Sequence, residues 1–454
     1  MKVAFVYPGF FRDPGDRWIG AGFGLLSACI KKEGHQSFLI DFRRLDGWKE
    51  YSAKLAEANP DVIAFTATTI YFPVVLKASE IAKRILPKVP TVLGGIHATL
   101  MPEEAAAHPF FDHIVLGEGE ISFPKILSAL GSGAPVERII RGEQADLDAL
   151  PFSDRDLFGV QELPFFQDLP LPFVTVISAR GCPYHCTFCQ PAERILFGNR
   201  IRKRSVDNVI AELRLLREKH GFRSFMVHDD CLSADKVWVR EFCRKLKEGG
   251  FDQPWVCQVR ADHVCAHPEL ISEMKDAGLR AVHVGFETGN QRMLDLMRKG
   301  LTVEQNYKAY RILKELGIQM QGMFILGLPT ETKEEILDTI RMMKSMELTR
   351  PSFTFFTPYP GTDLYQFCKE RDLLTIRDYS DFDRSKMSPK IKGIDYPWIV
   401  ESMEQLATGR QRVKNKIKSF LLLILGKSLG TRLIESIKEF KNQGSHIWPL
   451  SQDV

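Results

Sequence analysis

Three cysteines within one short segment are the residues of this sequence best suited to chemistry. Cys182, Cys186 and Cys189 stand at positions i, i+4 and i+7 of the segment 178–190, SARGCPYHCTFCQ. Thiolates are the usual ligands of iron–sulfur clusters, and three of them leave one iron of a four-iron cluster open. Structural zinc sites normally have four closed ligands. The segment therefore favours a cluster over zinc or over ordinary buried thiols, and its glycine and proline favour a loop over a helix.

Polar and small residues also follow the predicted strands of the same half of the chain. The stretch 228–230 (HDD), Arg260 and Glu287 end three successive strand patterns, and residues 322–329 (GMFILGLP) and 357–362 (TPYPGT) belong to the next two. Each alone could be a helix cap, a surface ion pair or a turn. Because the parallel strands of a barrel end at one face, the ordered set indicates a site around that face.

The elements that must position these residues alternate between strand and helix in two series. Five apolar strand patterns separated by helical ones predict a parallel sheet, covered on both faces, over residues 1–135. Residues 136–172 are rich in proline and lack a sustained period, which predicts a linker. Six further strand patterns with helices between them, over residues 173–388, predict a complete or incomplete barrel, and residues 389–454 have a helical pattern.

Small and hydroxyl-bearing residues collect after the strands of the first series, at the edge where an open parallel sheet binds ligands. Glycine lets a ligand approach the backbone, and threonine supplies a hydroxyl. A nucleotide site is only weakly indicated, because no G-x-G-x-x-G follows the first strand. The candidate binding residues are Pro8, Gly9, Thr66, Thr68, Thr69, Gly94, Gly95, His97, Gly117, Glu118, Gly119 and Glu120.

The cysteine segment, with Phe188 before its last cysteine, resembles the signature of the radical SAM family. The resemblance spans about residues 173–369. It implies a [4Fe–4S] cluster on the three cysteines, whose open iron binds the amino and carboxylate groups of S-adenosylmethionine. One electron, from an external donor such as flavodoxin or ferredoxin, then cleaves this cofactor to methionine and a 5′-deoxyadenosyl radical.

The same resemblance implies a set of contacts to S-adenosylmethionine. The usual Gly-Gly-Glu of the family is absent at residues 228–230, which leaves open which aspartate contacts the methionine amino group. The expected contacts are Phe188, Asp229, Asp230, Arg260, Glu287, Gly327, Pro329 and Thr357.

The first series resembles the cobalamin-binding domain that precedes radical SAM barrels, over about residues 2–130. The stretches 94–99 (GGIHAT) and 117–120 (GEGE) carry this resemblance. The D-x-H-x-x-G loop of cobalamin mutases is absent, which matches the radical SAM branch. We therefore expect His97 to support the loop and not to bind cobalt.

Together the resemblances imply a Rossmann-like (flavodoxin-like) cobalamin domain, a partial (β/α)6 TIM-type radical SAM barrel and a helical C-terminal tail. They imply an enzyme that transfers a methyl group from cobalamin to an unactivated carbon of an unknown substrate. A cyclase or ring-rearranging enzyme with the same cofactors is the alternative, and a non-catalytic cobalamin or iron–sulfur sensor is less favoured. No catalytic side chain is assigned, and Cys231 is the weak candidate.

The composition of the chain limits the binding partners and the cellular compartment that we expect for the protein. A net charge of +4 is too small to indicate nucleic-acid binding over the whole surface. The nine cysteines and the absence of a signal-peptide pattern predict a cytoplasmic protein with reduced thiols. The basic stretch 410–441 contains an apolar run too short to span a bilayer. It predicts a helical cap on the barrel. The alternative is peripheral membrane contact, in which case the substrate would be lipid-like and not an ordinary small molecule.

Overall fold

The computed structural model describes residues 1–9, 19–159, 168–189, 194–196, 200–384 and 388–404, and the single positions 162, 164, 166 and 198. Residues 1–394 form one compact unit, and residues 395–454 form a second. The basic stretch 410–441 lies outside the described residues, so its membrane contact stays a prediction. Among the residues that are described, no helix has both the length and the apolar character needed to cross a membrane.

A six-stranded parallel sheet forms the first half of the larger unit. Its strand order is β2-β1-β3-β4-β5-β6, the flavodoxin-like order with one strand added. The added strand falls in the segment predicted as a linker, because three residues are too few to show a period. The strands are β1 (Lys2–Tyr7), β2 (Gln36–Asp41), β3 (Val62–Thr66), β4 (Thr91–Gly94), β5 (His113–Leu116) and β6 (Ile139–Arg141).

Helices cover both faces of this sheet. Alternate residues of β1 supply two separate cores: Ala4 and Val6 pack on one face, and Val3 and Phe5 pack on the other. All four are fully buried, which explains why the strand is a continuous apolar run. The helices are α1 (Ala21–Lys32), α2 (Trp48–Ala58), α3 (Phe72–Ile85), α4 (Ile96–Leu100), α5 (Pro102–Ala107) and α6 (Ser122–Ser132).

The second sheet is an incomplete barrel. It begins with β7 (Phe173–Val176), which leads into a short antiparallel ribbon of β8 (Ala179–Arg180) and β9 (Arg202–Lys203). The parallel strands follow the order β14-β13-β12-β11-β10-β7, so the six predicted barrel strands are confirmed. The remaining strands are β10 (Ser224–Val227), β11 (Trp255–Val259), β12 (Leu279–Glu287), β13 (Gln319–Leu326) and β14 (Arg350–Phe355).

Several barrel helices begin at a polar N-cap soon after a strand ends. Ser205, Asp235, Thr302, Thr332 and Thr362 each accept a hydrogen bond from a backbone N–H of the first turn. Such caps satisfy donors that the helix itself cannot. The helices are α7 (Val206–His220), α8 (Lys236–Glu248), α9 (Ala261–Ala266), α10 (Pro268–Asp276), α11 (Gln291–Leu296), α12 (Val303–Glu315), α13 (Lys333–Ser345) and α14 (Asp363–Glu370), and α15 (Tyr396–Glu404) lies in the second unit.

Candidate functional site

The cysteine loop directly follows β8 at the carboxyl ends of the barrel strands. Gly181 has a φ of 92°, a conformation that favours glycine, and it turns the chain into the loop. Cys182 and Cys186 are half-buried, and Cys189 is exposed. The amide of Cys189 donates to the carbonyl of Cys186 at 3.2 Å, so these two cysteines share one tight turn.

Thr187 fastens this loop to the barrel. Its amide donates to the carbonyl of Met297 at 2.9 Å, and its carbonyl accepts from the amide of Leu364 at 2.9 Å. Its hydroxyl donates to the carbonyl of Leu296 at 2.8 Å. The three thiols are therefore presented on a loop whose middle is held by two helix ends of the barrel.

The number of thiols on this loop matches a four-iron cluster that keeps one iron open. A structural zinc site normally takes four protein ligands. Within the described part of the chain, no three His, Cys, Asp or Glu side chains are already arranged as ligands of one metal ion.

Arg260 is the cation next to this loop. Its guanidinium Nη1 lies 4.0 Å from the sulfur of Cys186, and its guanidinium carbon lies 3.6 Å from the ring centroid of Tyr184. Its Nε donates to Asp262 at 3.0 Å, and its Nη2 donates to the carbonyl of Lys299 at 2.6 Å. Arg260 is therefore buried, oriented from several sides and directed at the cysteine loop.

Glu287 and Lys299 form a buried ion pair at the same rim, with 2.6 Å between Nζ and Oε1. Glu287 has a φ of 61°, an unusual conformation for a residue with a side chain. Lys299 Nζ also lies 5.9 Å from the ring centroid of Phe188. Sequence reasoning found Glu287 and Phe188 but missed Lys299, because nothing in the sequence predicts that it folds back onto the strand end.

The two candidate aspartates face different surroundings. Asp229 accepts hydrogen bonds from the amides of Ser178 and Ala179 at 2.7 and 3.1 Å, and from the Ser178 hydroxyl. It is 3% exposed, and burial raises the pKa of its carboxyl to about 6. Asp230 instead lines the large cavity described below. The structure thus places Asp229 under the base of the cysteine loop and leaves Asp230 as the aspartate that can reach a ligand.

The fifth and sixth strand motifs meet beside the cysteine loop. Phe188 packs against a cluster that includes Leu328 and Phe356. The neighbouring Gly327 donates its amide to Glu331 at 2.7 Å, and the Thr357 hydroxyl donates to the carbonyl of Phe355 at 3.2 Å. The packing of Leu328 and Phe356 against Phe188 brings the two predicted motifs together. Pro329 stands in the chain between Gly327 and the helix α13 that follows.

A cavity of about 710 Å³ joins the carboxyl edge of the first sheet to the barrel. Most of the predicted cobalamin residues line it, namely Thr66, Gly94, Gly95, Gly117, Glu118, Gly119 and Glu120. A Cβ added to Gly22, also in the lining, would meet no protein atom within 4 Å, and one added to Gly94 would meet none closer than 3.8 Å. Gly22 and Gly94 therefore face open space in the cavity, whereas a Cβ on Gly95 or Gly117 would come within 3.0 Å of a neighbouring protein atom.

The remaining predicted cobalamin residues lie away from the cavity lining. His97 is fully buried, stacks on Phe72 at 3.9 Å and approaches Thr69 at 3.5 Å, because α4 turns it into the core. Burial lowers the pKa of His97 to about 4. Thr68 is exposed outside the lining, Pro8 and Gly9 are buried, and Gly9 lies beside Arg43.

The GEGE stretch makes a network of ion pairs that sequence reasoning did not anticipate. Arg180 donates to Glu118 at 2.8 Å and to Glu120 at 2.6 Å, and Arg202 donates to Glu118 at 2.7 Å. Burial raises the pKa of Glu118, but the hydrogen bonds and charges of the two arginines outweigh it and hold that pKa below its usual value. The network joins the first domain to the ribbon that leads into the cysteine loop.

Cys231, the candidate catalytic thiol, lies outside the cavity lining. It is 5% exposed, and its sulfur lies 3.9 Å from the hydroxyl of Ser233. Burial raises the pKa of this thiol to about 12, as it also does for Cys189 of the loop. The pKa therefore does not distinguish Cys231 from a loop cysteine, and a role for Cys231 stays a prediction.

Comparison with known families decides the identity of the two halves. The radical SAM superfamily model matches residues 176–343, and the B12-binding domain model matches residues 11–127. The chain belongs to the cobalamin-dependent radical SAM family. As a member of this family it is an enzyme with three cofactors: a [4Fe–4S] cluster, S-adenosylmethionine and cobalamin.

Relatives of this cobalamin-dependent radical SAM enzyme include proteins of different activities. An uncharacterised methyltransferase of Pyrococcus horikoshii is 29% identical over 413 residues, covering 86% of this chain and 88% of the relative. The anaerobic magnesium-protoporphyrin IX monomethyl ester cyclase of Cereibacter sphaeroides is 29% identical over 418 residues, covering 84% and 66%. The family is therefore clear, whereas the reaction is not decided by similarity alone.

A solved structure shares the fold of this radical SAM enzyme. The cobalamin-dependent S-adenosylmethionine radical enzyme OxsB, with aqua-cobalamin and S-adenosylmethionine bound, superposes with a TM-score of 0.70 at 16% identity. The match covers 97% of this chain and 75% of that chain. The likeness confirms the predicted order of a flavodoxin-like domain followed by a partial barrel.

The cavity has features that suit cobalamin. The Oε2 atom of Glu120 is buried and accepts no hydrogen bond from the described residues, and the amide side chains of a corrin are donors that could satisfy it. Ile96 and Ile177, which also line the cavity, are 51% and 39% exposed. A large, partly apolar ligand would cover them.

Proposed function

We propose that this enzyme transfers a methyl group to an unactivated carbon of a small-molecule substrate. The proposal rests on one observation. The same cavity is lined both by the cobalamin-side residues Gly94 and Gly117 and by Asp230 at the barrel mouth. A substrate in this cavity is within reach of both halves. The methyltransferase relative from Pyrococcus horikoshii, which matches nearly the whole chain, supports this reaction.

We assign the cluster to Cys182, Cys186 and Cys189. When bound, the cluster and S-adenosylmethionine supply hydrogen-atom abstraction, and cobalamin supplies the methyl group. The chain's own residues position the bound ligands and exclude water from them. Arg260 offers a fixed positive charge beside the loop, where a carboxylate of S-adenosylmethionine can pair with it.

The buried Glu287–Lys299 pair and Asp230 complete this arrangement in our proposal. Asp230 lies at the cavity wall, where a carboxylate can hold the methionine ammonium group. Glu287 is held by Lys299 at 2.6 Å, so its orientation is set before any ligand binds. Preset charges lower the cost of ordering a ligand.

A cyclase with the same three cofactors is the second candidate. The cyclase of Cereibacter sphaeroides matches this chain as closely in identity as the methyltransferase does. In both cases the same cavity holds the substrate, and an external reductant delivers the electron. The outcome depends on where the substrate carbon sits relative to the methyl donor.

The decisive experiment follows the label of the methyl group. The enzyme is reconstituted anaerobically with iron, sulfide and cobalamin, then incubated with reductant, trideuteromethyl S-adenosylmethionine and a metabolite extract. A parallel incubation contains magnesium-protoporphyrin IX monomethyl ester. We expect a product heavier by one labelled methyl group in the extract.

The Cys186→Ala protein is the matched control and should give no product. Formation of 5′-deoxyadenosine without labelled product, together with conversion of the porphyrin ester, would replace the methylase proposal by the cyclase. If the reduced enzyme cleaves no S-adenosylmethionine at all, both candidates fail.

A further inference from the structure

Four polar residues lie level with one another across four adjacent strands of the barrel. Gln258 pairs in register with His283, and His283 pairs with Gln321. His228 stands one residue beyond Val227, whose register partner is the residue before Gln258. Because side chains alternate along a strand, residues that are level in a parallel sheet point to the same face.

That face is the barrel interior. The residues two positions earlier, Met226, Val256 and Ala281, belong to one buried apolar cluster. Residues of the opposite face pack outward instead: Phe225 stacks on Trp255, which meets Phe242 of the surrounding helix layer. The four polar side chains, which we call the polar row, therefore lie on an apolar floor inside the barrel.

The polar row opens onto the cavity at one end. His228 and Gln258 line the cavity, whereas His283 and Gln321 lie farther along and are 6% and 7% exposed. The Oε1 atom of Gln321 is buried and accepts no hydrogen bond from the described residues. A buried acceptor without a donor is unfavourable, so a ligand group that enters the row past His228 and Gln258 would gain by donating a hydrogen bond to Gln321.

The polar row is uncharged at neutral pH. Burial lowers the pKa of His283 to about 4 and also lowers the pKa of His228, and the two glutamines carry no charge. Two residues of opposite charge stand at the borders of the row. Arg350 pairs in register with Gln321, and Asp230 lies two residues beyond His228.

We propose that the polar row is the substrate subsite that receives a neutral hydrogen-bonding group, such as an amide, a hydroxyl or a carbonyl. The inference rests on the proposed function in that a small-molecule substrate enters the shared cavity. Two amides and two neutral imidazoles offer both donors and acceptors but no countercharge. A purely hydrocarbon end would leave the buried Oε1 atom of Gln321 without a donor, so the row disfavours the tail of a lipid-like substrate.

Four probes of nearly equal shape test the class of the bound group. Acetamide, acetate, acetamidinium and 2-methylpropene are added separately to the anaerobic holoenzyme, and binding is measured by saturation-transfer NMR and by soaking crystals. We expect acetamide in contact with Gln258 and His228. Density for acetate, acetamidinium or 2-methylpropene at the row in preference to acetamide overturns the assignment, and so does the absence of every probe from it.

Variants of Gln258 link the binding to this row. Gln258→Leu should weaken acetamide binding by ~tenfold, the effect of one net hydrogen bond. Gln366→Leu changes an exposed helix glutamine and should leave it unchanged. Gln258→Glu keeps the shape and should shift the preference to acetamidinium, which a fold defect cannot mimic. An unchanged preference in Gln258→Glu contradicts the subsite.

Failure of this inference is separable from failure of the proposed function. Probe binding needs no turnover, so acetamide bound at the row supports the subsite even if no labelled methyl group reaches a product. Conversely, labelled product with no probe at the row leaves methyl transfer standing and refutes the subsite.

Discussion

Cys186 is the cysteine with the most evident electrostatic support, because the Arg260 guanidinium lies 4.0 Å from its sulfur. The other two thiols stand on the same loop, which Thr187 anchors to the barrel. At the residue scale the loop therefore presents three cysteines together, whereas Cys257 is fully buried within β11.

Replacement of each loop cysteine by alanine should abolish the cluster. Cys182→Ala, Cys186→Ala and Cys189→Ala should each lose the iron content and the broad visible absorbance of the anaerobically reconstituted protein, because two thiolates do not hold a four-iron cluster. Cys257→Ala removes a fully buried thiol of β11 and serves as the matched control. A cluster retained in any loop variant, at wild-type iron content, contradicts the assignment.

Glu331 makes stability depend on pH. Burial raises the pKa of its carboxyl from 4.5 to about 7, so between these values the folded protein binds the proton that the unfolded chain has lost. Stability must then fall as pH rises through this range. Glu331→Gln should flatten the dependence, with a gain of at most about 3 kcal/mol above pH 7.

The measurement is the free energy of unfolding in urea at pH 5, 6, 7 and 8. Glu334→Gln, at an exposed position of α13, should follow the wild-type curve. Equal slopes for wild type and Glu331→Gln would show that the buried carboxyl does not titrate in this range.

Arg180 connects two elements that come from different domains. It lies on β8, two residues before the first cluster cysteine, and binds Glu118 and Glu120 of the loop after β5. Both glutamates also line the cavity. The conformation of the cysteine loop and that of the cobalamin-side loop are thus linked through one side chain. Such a linkage is reciprocal, so cluster binding should affect cobalamin binding and cobalamin binding should affect cluster binding.

Arg180→Gln should uncouple cobalamin binding from the cluster. In the wild type we expect the cluster-loaded protein to bind aquacobalamin more tightly than the Cys186→Ala protein. In Arg180→Gln this ratio should fall to near one, with affinity lowered ~tenfold or more because buried Glu120 loses its arginine partner and Glu118 keeps only Arg202. Arg244→Gln removes an exposed pair within α8 and is the control. The readout is a spectrophotometric titration, and an unchanged ratio contradicts the linkage.

The network also shows where sequence reasoning stops. Five strands of the first sheet and the six of the second could be predicted because a buried parallel strand is an apolar run, and the cysteine loop because its spacing is local. The short edge strand β6 was missed. Glu118 and Glu120 are predicted to contact cobalamin, and the structure adds arginine partners about 60 or more residues away. These pairings, the pairing of Lys299 with Glu287 and the stacking of His97 on Phe72 all depend on the tertiary fold, and no local pattern encodes them.

At the scale of the whole molecule, the chain beyond the barrel returns to the first domain. The turn Tyr379–Phe382 brings the ring of Tyr379 to 6.0 Å from both Phe72 and His97. Its hydroxyl donates a hydrogen bond to Glu104 of α5. His97 follows the glycines that line the cavity, so this contact supports the cobalamin-side loop from the side opposite to the ligand.

Tyr379→Ala should loosen that loop without unfolding the barrel. The loss of the ring exposes His97 and Phe72 from one side, so the loop should open locally with a free energy below that of global unfolding. We expect faster amide hydrogen exchange at residues 94–100 and unchanged exchange in β12. Tyr379→Phe removes only the hydrogen bond to Glu104 and should give a smaller effect, because the ring packing remains. Equal acceleration in β12 would mean that the substitution destabilises the whole unit and that the returning segment does not act on this loop.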